Sequence, residues 1–431
     1  MPWECVKLRR GLRLSQALAN VRGVNPLLAL ALLAIAGLAA TRLSWLRLGS
    51  LSRLDTMSGA GLALLLIGLA LGPGIGVLDR RAMQVLTPIT ALAVGCLGAC
   101  IGARCEWRLV RRIPRPTWWL GAVQAVAVLA VVGGGVWGLT RAVPTLRTAW
   151  APILPVALTL GAVAVASGPN AVALTARAAA VSRRGARAFA LAAAIDAALA
   201  VLAFTLTLAL FHRREPNGGV EFGRIAWLVL TIGSGVLVGM VFISLIRVRP
   251  APEHLGLALL GTMLFGAGAA YAAGSSPLIV CAIAAALIVN RSPQRRVVRA
   301  RLDAWEPVAT TVLFLTIGAL LSGPTPWLLP AAIGLAVLRG GVRWAVVHFG
   351  RVPLGATRLP PQVGLATTAQ GGLALAIAVS FFLIYPRAAG EAVLTTVVVG
   401  VILAQLVAVP LLAWSFRGPA LTAPQPAADL S

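Results

Sequence analysis

Charge is scarce in this chain, and acid is the scarcest part of it. Of its 431 residues only 11% are charged, and just 12 are Asp or Glu. A soluble chain carries about a quarter charged residues, so a water-facing surface wrapped around one buried core is excluded. Lysine occurs once, as Lys7. A Walker A loop needs a lysine directly after its second glycine, so ATP-driven pumping by this chain alone is excluded as well. The three histidines, His212, His254 and His348, form no metal-ligand spacing. The five cysteines build no disulfide framework: Cys5 and Cys281 stand alone, and Cys96 and Cys100, with Cys105 following, read as small packing residues of an apolar helix. No metal, no cofactor and no enzymatic reaction is expected.

What the chain has instead is apolar length. Hydrophobic residues make up 59% of it, and the mean hydropathy is +0.91. Runs of roughly 17–25 apolar residues, enough to cross a bilayer, recur at about 24–41, 56–78, 84–103, 117–140, 151–176, 188–211 and 225–246. They continue at about 255–273, 277–290, 305–322, 326–349, 362–386 and 392–415. The expected architecture is an all-α polytopic membrane protein of about 13 transmembrane helices. A basic segment, 1–23, precedes a transmembrane domain over 24–415, and a Pro/Ala-rich tail, 416–431, is expected to be disordered and cytoplasmic.

The net charge of +25 would suit nucleic acid only if the bases formed one continuous face with polar or aromatic readers among them. Here they sit in short clusters between apolar runs, such as Arg104–Arg115 and Arg291–Arg301. That is the pattern of positive-inside topology, so no nucleic-acid partner is expected. With the loop at 104–116 inside, alternation also puts Arg177, Arg183, Arg184, Arg187, Arg351 and Arg358 inside. The loops at 274–276 and 323–325, which carry no base, fall outside. The N-terminal cluster of Lys7, Arg9, Arg10, Arg13 and Arg22 opposes this pattern, so the side of the N-terminus stays open. Arginine in place of lysine, with abundant alanine, is the composition of a GC-rich bacterial genome, so the expected location is a bacterial inner (plasma) membrane.

Most acids fall in loops, tails or span ends. Glu306 lies just inside the cytoplasmic end of its span, and only Asp196 lies deep in an apolar run. An aspartate at that depth costs about 2.5–3.5 kcal/mol to insert and marks a functional site by default. Its bland alternative is a lock between two helices through a buried pair with arginine. Arg339 and Arg343, four residues apart on one helix face, are the candidate basic partners.

The span before Asp196 contains Ser167, Gly168, Pro169 and Asn170. Gly168 weakens a helix and Pro169 removes a donor and clashes with the preceding turn, so the helix should break near mid-membrane and free its carbonyls. Ser167 and Asn170 would add side-chain oxygens beside Asp196, giving an ion or proton site. At about 1.5 Å per residue, Ser167 and Asp196 both lie roughly 13–15 Å from the cytoplasmic loop. A second interruption, Thr367, Thr368, Gln370 and Gly371, falls seven spans later and hence runs antiparallel to the first. Paired broken helices in opposite halves point to a midplane site in an inverted-repeat transporter. Gly98/Gly102 and Gly235/Gly239 read as helix-packing pairs.

In this order the motifs resemble those of the monovalent cation:proton antiporters of the sodium/proton exchanger superfamily. The resemblance rests on GlyLeuAlaLeuGlyPro at 68–73, SerGlyProAsnAlaValAla at 167–173 and IleAspAlaAlaLeuAlaVal at 195–201. Its C-terminal part is SerProLeu at 276–278, the stretch from Trp305 to Ala319, and GlnGlyGlyLeuAlaLeuAlaIle at 370–377. It covers about residues 56–415. It implies an inverted-repeat fold with two broken crossing helices, and exchange of Na+ or K+ for protons by alternating access at Asp196. It also implies a homodimer in membrane lipid, with Arg343 or Arg339 as the family's basic residue. Two departures stand out. Gly168 occupies the place of the broken-helix acid. Ile195 precedes Asp196 where the family has Asp or Asn, and a shift of one residue would put Ala197 on the essential position. A single acid implies electroneutral exchange, weak cation affinity, or a member that has lost transport. Two other readings stay open: an organic-anion or small-solute carrier of the same architecture, binding through Arg339 and Arg343, and a non-transporting membrane scaffold or sensor.

Overall fold

The structure is a computed structural model that describes residues 60–74, 80–111, 113–178, 183–211, 223–246, 252–321, 327–355, 363–385 and 387–415. The basic segment at 1–23, the first expected span and the C-terminal tail lie outside the described residues. No strand occurs among the described residues. Eight described helices are long and apolar enough to cross a membrane, and two shorter apolar ones accompany them.

Composition explains the absence of strands. In a bilayer, backbone polar groups must be satisfied within the chain, and an α-helix does this segment by segment. The helices α1 (Ala60–Leu69, extended by a π-helical turn, Ala70–Gly74), α2 (Arg80–Arg104), α3 (Trp107–Val110), α4 (Arg115–Ala142) and α5 (Pro144–Ala149) lead in. The first interrupted span follows as α6 (Ile153–Val165) and α7 (Pro169–Ala178), then α8 (Arg183–Leu210), α9 (Arg224–Leu245), α10 (Pro252–Ala272), α11 (Pro277–Arg291) and α12 (Arg295–Leu320). The last group is α13 (Leu328–Gly350), the second interrupted span α14 (Val363–Ala366) and α15 (Gly372–Ile384), and α16 (Arg387–Ser415).

These pack as two bundles. One joins α1, α2, α9, α10, α11 and α12, with α2 against α11 and α12, α9 against α11, and α1 against α12. The other joins α4, α6, α7, α8, α13, α14, α15 and α16, with α4 on α6 and α13, α8 on α6 and α7, and α16 on α13 and α15. The sequence of a long helix, an interrupted helix and a long helix thus occurs twice in the second bundle. We call the first bundle the scaffold and the second the core.

Small residues decide the scaffold contacts. A Cβ built on Gly98 would lie 2.1 Å from the Leu278 carbonyl oxygen, and one on Gly102 would lie 1.9 Å from that of Ala282. The Gly98/Gly102 pair therefore sets α2 directly on the backbone of α11. Gly235 and Gly239 do the same for α9, against Val280 and Ile283 and against Ala284. On α9 the large residues point the other way: Ile225, Val229, Leu237 and Leu245 are mostly exposed, while Val238 and Phe242 are buried. Small residues inside and large apolar ones outside is what a helix facing lipid requires. The chain is a multi-pass membrane protein.

Candidate functional site

The two interruptions meet in the core. Between α6 and α7 the chain leaves helical geometry at Ala166–Gly168, and between α14 and α15 it does so around Thr367–Gly371. Pro169 opens α7, as proline does at a first helical position. The broken stretches touch through a backbone hydrogen bond from Gly168 N–H to the Ala369 carbonyl, 3.2 Å. A Cβ on Gly168 would lie 2.7 Å from Gly371 N and 2.8 Å from its Cα, so the crossing is as close as two backbones allow.

Each break leaves carbonyls at the C-terminal end of one half-helix without intrahelical partners. Two arginines of α13 take them. Arg339 donates from Nε to the Ala164 carbonyl (2.7 Å), from Nη2 to that of Ala166 (3.1 Å) and from Nη1 to that of Thr368 (2.7 Å). Arg343 donates from Nη2 to the carbonyls of Val165 and Ala164, and from Nη1 to the Thr367 carbonyl and hydroxyl, both 2.9 Å. Gln370 adds an amide donor to the Val163 carbonyl at 3.0 Å. The C-terminal end of a helix carries partial negative charge, so both guanidinium groups sit where that charge converges.

Asp196 lies near the centre of α8 and is 2% exposed. Its Oδ2 accepts from Arg343 Nη1 at 2.8 Å and lies 2.9 Å from Ser167 Oγ. The Ser167 hydroxyl also lies 2.7 Å from the Thr367 carbonyl; with one proton, it donates to one of the two at a time. Gln124 of α4 reaches both carboxylate oxygens at 3.4 Å. Oδ2 is thus held by a charge and a hydroxyl, while Oδ1 has only the long amide contact. Oδ1 is the less engaged of the two oxygens.

The geometry brings together Asp196, Ser167, Arg343 and Thr367, with Arg339, Thr368 and Gln370 holding the backbone around them and Gly168 and Gly371 at the crossing. Asn170 goes elsewhere. It is exposed, whereas Ser167 and Asp196 are buried. Gln124 was not singled out from the sequence, although a lone amide in the apolar span 117–140 was its signal. Arg339 also lines, with Thr368, Gln370 and Thr396, a largely apolar cavity of about 430 Å³ between α4, α6, α13 and α16.

No family model and no curated protein matches this sequence. Solved structures do. A structure of the sodium proton antiporter MjNhaP1 from Methanocaldococcus jannaschii at pH 8 superposes with a TM-score of 0.65 at 15% identity, covering 90% of this chain and 98% of that one. A 3D EM map of the same antiporter gives a TM-score of 0.62 at 16% identity, over 93% of this chain and 99% of that one. The fold is that of a sodium/proton antiporter. Nearly the whole of the antiporter's length is represented here, so the scaffold, the core and both interruptions of this chain lie within one antiporter fold. Among its described residues the crossing holds two arginines and one carboxylate, Arg339, Arg343 and Asp196.

Proposed function

We propose that this protein is a divergent member of the sodium/proton exchanger superfamily that exchanges a monovalent cation, Na+ or K+, for protons across a bacterial inner membrane. The observation that carries this reading is Asp196, buried in mid-helix against the crossing of two interrupted helices. A proton and a cation compete for its carboxylate. In the proton-loaded state Oδ1 holds the proton. In the cation-loaded state the ion is bound by Asp196, the Ser167 hydroxyl and a carbonyl of the broken stretches, such as that of Thr367. Arg343 and Arg339 stay on the carbonyl ends, so the crossing keeps its shape as the core moves against a scaffold that dimerises in the bilayer. One carboxylate exchanging one positive charge for another makes the cycle electroneutral.

Reconstituted into vesicles, the protein should show proton flux driven by a Na+ or K+ gradient, and Asp196→Asn should abolish it. Full flux in Asp196→Asn, with the variant folded, would falsify this assignment. The cavity at Arg339 favours a second reading, a carrier of small organic anions. Under that reading Asp196→Asn is tolerated and uptake of the anion depends on Arg339.

A further inference from the structure

Arg339 is the second buried cation of the crossing, and no acid answers it. Asp196 pairs with Arg343, and among the described residues no carboxylate lies within ion-pair distance of Arg339. Arg339 is nevertheless buried, where a charge is normally matched by an opposite one. The carbonyls of the half-helix ends offer partial charge only. Its contacts with Ala164, Ala166 and Thr368 use three of the guanidinium's five N–H donors.

Beside it lies the cavity of about 430 Å³ between α4, α6, α13 and α16. That volume falls in the range of small-ligand sites, whose walls are mostly apolar with a few placed polar groups. Here Arg339, Thr368 and Gln370 are such groups. Ile333, Val337, Trp344 and Val407 also line the cavity and are exposed on the outside of the core, so in a bilayer it opens sideways onto hydrocarbon. From Ile333 to Trp344 is about 16 Å of helix at 1.5 Å per residue, with Arg339 midway. The wall is also short of side chains. Gly340, Gly341 and Gly400 line it, and a Cβ on any of them would meet nothing within 4 Å. Glycine inside a helix costs about 1 kcal/mol relative to alanine. At Gly98 and Gly102 a close helix contact offsets that cost; at these three positions the result is open space beside a buried cation.

We propose that this cavity binds a single-chain carboxylic acid from the bilayer, its carboxylate on Arg339 and its alkyl chain between α13 and α16. Each part of the ligand answers one feature of the site. A guanidinium holds a carboxylate through charge-assisted hydrogen bonds, and this one has no acid of its own. The alkyl chain covers apolar wall that a small hydrophilic anion would leave bare. In its protonated form the acid is uncharged, so it reaches the lateral mouth without the cost of an ion in hydrocarbon. The ligand is bound, not carried, so the site requires neither cation exchange nor anion uptake.

The full chain in phosphatidylcholine nanodiscs, titrated with radiolabelled dodecanoate against protein-free discs, should bind it saturably. Dodecanol should compete about tenfold less well, the loss expected when a charge-assisted hydrogen bond is missing. Arg339→Gln should weaken dodecanoate by a similar factor and erase its preference over dodecanol. Gly341→Leu and Gly400→Leu, which fill the cavity and leave Arg339 in place, should weaken both ligands. Gly256→Leu on α10, where a Cβ also meets nothing within 4 Å, lies outside the cavity and should leave binding unchanged. Equal competition by dodecanol would reduce the cavity to a groove for any alkyl chain and overturn the proposal. Full affinity in both cavity-filling variants would put the ligand elsewhere, and absence of saturable binding would remove it altogether; either result overturns the proposal too. Displacement of dodecanoate by an equal concentration of acetate would mark a site for small anions and sink the lipid assignment. Should Arg339→Gln not fold, the glycine variants and the dodecanol comparison decide by the same criteria.

Discussion

Arg343 is fully buried and joins three parts of the chain at one guanidinium: the carboxylate of α8, the carbonyl end of α6 and Thr367 of the second break. Removing it leaves a desolvated carboxylate and several carbonyls unpaired. Breaking a buried ion pair from one side costs about 3–5 kcal/mol, so Arg343→Ala should lower the melting temperature in detergent sharply. Asp196→Asn removes the charge but keeps the shape, and should cost less. In the double variant the carboxylate penalty disappears, so the two losses should sum to less than their separate values. A double-mutant cycle by thermal denaturation measures this, and strict additivity would show that the 2.8 Å contact carries no coupling. The residue scale also shows where sequence reading stopped. Asp196, Ser167 and Arg343 were legible because charge and polarity are rare in apolar spans. Asn170 follows Ser167 by three residues, but Ser167 lies in the break ahead of the helix, so helical spacing does not bring the two to one face.

At the scale of elements, the two interruptions and the glycine contacts carry the architecture, and they differ in tolerance. Gly168→Ala must push its methyl against the Gly371 backbone, whereas a Cβ on Gly371 meets Gly168 Cα only at 3.2 Å. Gly168→Ala should therefore abolish cation-driven flux, and Gly371→Ala should retain part of it. Gly102→Val, aimed at the Ala282 carbonyl, should destabilise the α2–α11 contact by at least the ~1–3 kcal/mol typical of overpacking. Gly138→Ala, with nothing within 4 Å, should be neutral or slightly stabilising, because alanine is the better helix former. Thermal melts of the four variants, beside flux for the first two, check this ordering. The breaks could be read from Gly168, Pro169 and Gly371, since these residues disfavour helix in any setting. That the two breaks share a backbone hydrogen bond could not, because residues as far apart in sequence as Gly168 and Ala369 meet only through packing.

For the whole molecule, the arginine clusters make a claim about sides. Arg291 ends α11, and exposed Ala273 precedes its other end. In a background with Cys5 and Cys105 replaced by Ser, leaving Cys96, Cys100 and Cys281 buried, Arg291→Cys should react with a membrane-impermeant maleimide only from the cytoplasmic face. Ala273→Cys should react only from the opposite face. Labelling of both from one side would overturn the orientation. The large apolar residues exposed along α9 and α10, among them Leu257, Leu264 and Phe265, need lipid or another subunit to cover them, as a membrane scaffold does.

Taken alone, the sequence determined the class of molecule, the placement of most spans and the mid-helix position of Asp196. Each of these depends on local composition: apolar length sets a span, arginine between spans sets a side, and proline with glycine sets a break. Tertiary structure decided which groups share a contact. It placed Gln124 on Asp196, gave both arginines the carbonyl ends of the half-helices, and set the two breaks against each other. Those choices depend on how helices far apart in the chain rotate and cross, and no local pattern of residues encodes that rotation.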